Sequence, residues 1–162
     1  MNRFVFIISI FFLFQACTEE QEYPIIPEIK YNSFILYQKL NSYGDTILAG
    51  ELKFTLTDGD GDIGLRTYDT LPPYDTSKVY LKLFEMMNST YVEVQSEDTL
   101  NFRIPYLTPV GKSKSLKAEI IIEFEYLREP QLYDTVKYDF YIIDRAFNKS
   151  NVESTPNIVF FN

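Results

Sequence analysis

Three carboxylates at alternate positions, Asp58-Gly59-Asp60-Gly61-Asp62, form the densest concentration of charge and unusual backbone geometry in the chain. Like charges this close repel one another, while the glycines let the backbone curl and bring them together. A hard divalent cation reconciles the two. Calcium takes about six to eight oxygens from a flexible loop, and alternating Asp residues are a common way to supply them. With Asp58 as the first position of an EF-hand-type loop, Asp60 and Asp62 take the third and fifth and Asp69 the twelfth. The match is partial. Ile63 stands where such a loop has Gly, Asp69 is shorter than the usual bidentate Glu, and no helical pattern flanks the segment. The candidate calcium ligands are therefore Asp58, Asp60, Asp62 and Asp69, joined by Asp144 if its loop reaches the same end of the domain. The competing reading is a plain turn, because Asp-Gly pairs favour turns and Asp at a strand end caps them.

Other chemistries are narrowed by composition. The chain has no histidine, which removes Ser-His-Asp and Cys-His catalysis and every His-bearing zinc site. Its single cysteine, Cys17, cannot form an internal disulfide. Paired carboxylates remain as an enzymatic option, for example in a carbohydrate-active hydrolase with two carboxyls about 5–9.5 Å apart. No such pair stands out by spacing, so a non-catalytic binding module is the preferred reading. A purely structural envelope spacer is the other alternative. The best candidate for contact with a partner is the loop carrying Tyr68, Pro72-Pro73 and Tyr74, since tyrosines on a stiffened loop offer contact area at low entropic cost. Tyrosine is abundant here, with 13 in the chain, so packing across strands is the ordinary alternative for each of them. Without Arg3, 14 basic residues face 23 acidic ones, a balance of −9 that disfavours nucleic acid and anionic lipid as partners.

The elements that must position these residues read as strands. Apolar residues largely alternate with polar ones through 47–57, 79–86, 91–95, 99–104, 116–126 and 135–143, a first strand of mixed pattern covers 31–38, the chain ends on an apolar strand over 158–161, and no window carries helical spacing. In the clearest strand, Leu116, Ala118, Ile120, Ile122, Phe124 and Tyr126 face one way while Lys117, Glu119, Glu123 and Glu125 face the other. Leu52, Phe54 and Leu56 form one inward row, Val136, Tyr138, Phe140 and Ile142 another; Val92 and Val94 are also assigned inward. About seven to eight antiparallel strands without helices imply an all-β, two-sheet sandwich.

The N-terminus carries an address. Arg3 precedes the run Phe4 to Phe14, which is apolar apart from Ser9 and, at eleven residues, too short to span a bilayer. The run closes on Phe14-Gln15-Ala16-Cys17, which resembles the lipobox of bacterial lipoproteins, where the cysteine is lipidated and becomes the new N-terminus. Phe14 and Gln15 depart from that pattern. The segment Thr18-Glu19-Glu20-Gln21-Glu22 resembles the acidic signal of surface-exposed Bacteroidota lipoproteins. The expected organisation is a signal peptide over 1–16, a lipidated acidic and Pro-bearing tether over 17–29, and one domain over 30–162. The resemblance implies a lipid-anchored protein of the cell outer membrane, exposed at the surface, with an envelope protein or a glycan as partner.

The closing segment Asp144-Arg145-Ala146-Phe147-Asn148-Lys149-Ser150 resembles the late-strand motif Asp-x-Ala-Gly-Asn-x-Ser of bacterial immunoglobulin-like and fibronectin type III-like domains. Phe147 stands where that motif has Gly. The resemblance implies an immunoglobulin-like sandwich in which 47–57 and 135–143 are the second and sixth strands, B and F, whose following loops share one pole. Five traversals counted between Thr57 and Asp144 would instead put those loops at opposite poles. Shared placement requires 91–95 and 99–104 to act as one bent edge strand, and that is the arrangement expected here.

Overall fold

A computed structural model describes residues 22–94, 100–109, 114–126 and 134–160. The signal-like run and Cys17 lie outside the described residues. The strands are β1 (Glu28–Leu40), β2 (Thr46–Asp58), β3 (Lys78–Met87), β4 (Thr90–Glu93), β5 (Leu100–Arg103), β6 (Leu116–Tyr126), β7 (Thr135–Ile142), β8 (Glu153–Ser154) and β9 (Ile158–Val159). All named strand pairings are antiparallel. One sheet has the order β1-β2-β6. The other is built on β3 and β7.

Two edges of the second sheet are interrupted strands. Glu85 of β3 pairs with Val92 of β4 on one side and with Val136 of β7 on the other. Val79, at the other end of β3, pairs with Phe102 of β5 and with Ile142 of β7. β4 and β5 therefore lie on the same edge of β3, one beyond the other, as a single broken strand. β8 and β9 complete the far edge of β7 in the same way. The nine segments occupy seven positions, three in one sheet and four in the other, which makes the two-sheet sandwich expected from the alternation. The turn from β3 to β4 is a two-residue hairpin with Asn88 at φ 49° and Ser89 at φ 65°, the left-handed geometry such tight turns use.

The inward rows meet between the sheets. Leu52, Phe54 and Leu56 from β2 are fully buried, as are Val79 from β3 and Phe140 from β7. Ile120, Ile122 and Phe124 from β6 close the same core. Val92 departs from expectation: the short β4 lies at the sheet edge and leaves it 47% exposed. β1 starts at Glu28, ahead of the expected domain boundary at residue 30, and Pro27 and Ile29 are already buried. Asn151 fastens this strand to the other sheet's side of the sandwich. Its side chain accepts from Ile29 N at 2.8 Å and donates to Ile29 O at 2.8 Å, so an amide stands in for a strand neighbour.

Candidate functional site

The broken edge strand decides the site. Counted as one, β4 and β5 leave four traversals between the end of β2 and the end of β7. The loops after these strands therefore share a pole. Asp58 is the last residue of β2 and Asp144 follows β7 within two residues; both continue inward rows, and both are wholly buried. Asp62 joins them from the Gly-rich loop. One carboxylate oxygen from each of Asp58, Asp62 and Asp144 lies within 4.8 Å of the others.

The local sequence explains how the loop reaches this place. Asp58 Oδ2 accepts from Asp62 N at 3.1 Å, which curls the chain across Gly59 to Gly61. Gly61 has φ +66°, and a Cβ there would sit 2.3 Å from Lys114 O, so no larger residue fits. Beyond the curl, Ile63 and Leu65 enter the core, and this short run pairs with 104–107 through Leu65 N to Ile104 O at 2.8 Å and Leu107 N to Ile63 O at 3.0 Å. The Asp144 loop is held separately. Asn148 N donates to Asp144 Oδ1 at 2.7 Å and Asn148 Nδ2 to Asp144 Oδ2 at 2.8 Å. Arg145 N donates to Asp62 O at 3.2 Å and ties the two loops to each other.

The pole is electrostatically loaded. Burial, then the neighbouring charge of Asp60, pushes the Asp58 carboxyl up to about 7. Burial, then the charges of Asp144 and Asp60, pushes Asp62 up to about 6. A carboxyl raised in the fold above its ordinary value of 3.8 keeps a proton that the unfolded chain has lost. Its stabilising contribution is complete below that value and is lost as pH rises through the folded value. With divalent ions removed, the melting temperature is thus expected to fall between about pH 4 and 7 and to level off above. Asp58→Asn should flatten much of that slope, as read from melting curves across the pH series in chelator.

Not every expected ligand joins the cluster. The Asp69 carboxylate pairs with the Arg145 guanidinium and accepts from Arg66 N at 2.8 Å; Arg145 holds it below the usual carboxylate range. Its role is to anchor the long loop after β2, and it lies apart from the three clustered carboxylates. Asp60 borders the cluster through its charge on Asp58 and Asp62, and its Oδ1 is buried without a hydrogen-bond partner among the described residues.

Beside the carboxylates runs a ladder of rings and cations. The Arg145 guanidinium lies 4.7 Å from the Tyr74 ring centre and 5.6 Å from that of Tyr106, with Arg66 4.8 Å from the latter. Phe147 stacks on Tyr74, with ring centres 6.4 Å apart and planes at 17°. Of the two expected contact tyrosines, Tyr74 is in the ladder and Tyr68 stands out into solvent, 76% exposed. Residue type and spacing do not pick out Arg66, Tyr106, Arg145 or Phe147. Only Phe147 leaves a trace, as the aromatic residue at the motif's Gly position. No protein family, no curated protein and no solved structure matches this chain, so no relative's chemistry bears on the site.

Proposed function

We propose that this chain is a surface-exposed lipoprotein, anchored through Cys17, whose sandwich serves as a non-catalytic binding module with the ring and cation ladder as its contact face. Phe147 carries the reading. Its backbone has φ 69°, a conformation that costs a non-Gly residue about 1–3 kcal/mol. Glycine would occupy it without strain. A phenyl ring that is 51% exposed recovers little of that cost by burial, so the strain points to a use for the ring. Stacked on Tyr74, itself 43% exposed, it presents a flat apolar face. Such a face suits a ligand with flat faces of its own, a sugar ring or an aromatic side chain. Asp58 and Asp144, both wholly buried, are not offered as a catalytic pair.

The test is crosslinking pull-down from intact cells together with a glycan array. Wild-type protein should capture a defined partner or glycan class. Phe147→Gly should lose that capture while folding at least as stably, because the left-handed backbone cost of about 1–2 kcal/mol is relieved and offsets the lost ring contact. Cys17→Ser should fail to label with a fatty-acid probe and should leave the membrane fraction. Undiminished capture by Phe147→Gly would remove the ladder from the contact face, and a soluble, unlabelled wild type would remove the anchor.

A further inference from the structure

We propose that Asp58, Asp62 and Asp144 form a calcium-binding clip that joins the end of β2 in one sheet to the end of β7 in the other. This goes beyond the binding reading above and does not depend on it. The three carboxylate oxygens lie within 4.8 Å of one another, close enough for one calcium ion with bonds of about 2.4 Å to bridge them. Magnesium, which sheds water reluctantly and demands near-ideal octahedral geometry, suits a site of several protein carboxylates on loops less well.

A second observation points to a ligand independently of the clustering. Asp58 is wholly buried, yet among the described residues its Oδ1 has no hydrogen-bond partner, and Asp62 Oδ1 is likewise buried and unpartnered among them. A buried carboxylate oxygen left without a donor is costly and rare in a native fold. Among the described residues, no Lys or Arg is within ion-pair distance of any of the three carboxylates, and the nearest arginine in sequence, Arg145, is committed to Asp69. A divalent cation supplies both the missing charge and the missing partner. Asp144 can ligate while keeping its Asn148 contacts, because each carboxylate oxygen has a further lone pair. Asp60, with its own orphaned Oδ1, is the carboxylate available to extend the set, and water and backbone oxygens complete it. The absence of His and of any cysteine besides Cys17 leaves an all-oxygen donor set, which suits a hard cation better than zinc.

The experiment is a melting series and a calorimetric titration of the purified full chain with calcium chloride, with EGTA and with magnesium chloride. Calcium should bind with one-to-one stoichiometry and raise the melting temperature by several degrees over EGTA, with a smaller rise in magnesium. Asp58→Asn and Asp144→Asn keep side-chain shape and should abolish the calcium shift. Asp58→Asn should also melt higher than wild type in EGTA, because it removes a repelled charge; a residue serving only the fold would not show this crossover. Asp69→Asn, outside the cluster, should retain the calcium shift. Identical melting in calcium and EGTA overturns the proposal, as does a shift that survives in both Asp58→Asn and Asp144→Asn. An equal response to magnesium overturns the assignment to calcium. Each outcome is read without any partner, so failure here is distinct from failure of the contact face.

Discussion

Truncating Phe54 or Phe140 to alanine is expected to destabilise the domain by about 3–5 kcal/mol, the largest single-residue effect in the core. Both side chains are fully buried, and their rings meet across the sandwich with centres 5.1 Å apart and planes at 45°. Phe54 comes from β2 and Phe140 from β7, so each truncation removes packing for the opposite sheet as well as its own. A typical domain has only about 5–15 kcal/mol in hand, and either variant therefore stands close to unfolding at body temperature. Urea unfolding measures the loss directly. The double variant should lose less than the sum of the two singles, because the ring contact can be lost only once. Lys53 and Asp139, next in sequence but on outer faces, should tolerate alanine with losses below about 1 kcal/mol. Equal sensitivity at Phe54 and Lys53 would contradict the register of β2.

The second large effect is expected at Gly64. Its φ is +88°, and a Cβ there would lie 2.3 Å from Pro105 O and 2.8 Å from Pro105 C. Gly64→Ala must therefore push 63–65 away from 104–107 and strain or break the Leu65 N to Ile104 O and Tyr106 N to Leu65 O bonds. Ile63 and Leu65, which close the core at the carboxylate pole, would be drawn out with them. Gly44 is a built-in control. It has φ +85°, but nothing lies within 4 Å of its Cβ position. Gly44→Ala should lose only the cost of the left-handed backbone, about 1–2 kcal/mol. Gly64→Ala should lose clearly more than Gly44→Ala in the same urea titration, and the difference measures the steric clash. Equal losses would mean that the loop yields freely and that its pairing with 104–107 contributes little.

The expected strands and their inward faces agree well with the structure because alternation is a local property. A residue with period-two neighbours has one face for the core whatever its partners are, and β6 spans 116–126 as its alternation predicts. Edges are less legible. Val92 follows the alternation but lies where no second sheet covers it. β8, two residues long, has no pattern to detect. The pairing of 63–65 with 104–107 is also illegible, since Asp-Gly repeats announce a turn and do not specify where the chain pairs once it has turned.

For the candidate site, the residue types alone determined that Asp58, Asp60 and Asp62 would crowd together, since glycines separate them by single positions and the chain must curl there. The lack of histidine limited the chemistry in the same way. What only the tertiary structure decided is which distant residues share that place. Asp58 and Asp144 are 86 positions apart in the sequence and meet because β4 and β5 lie along one edge of β3. Had they been separate traversals, the two loops would lie at opposite poles. Asp69 has the spacing of a ligand, yet Arg145 takes it, a competition between two loops that no local pattern records. Phe147 likewise reads as one aromatic residue among many until its backbone is seen at φ 69°, because strain belongs to a conformation and is absent from a residue type.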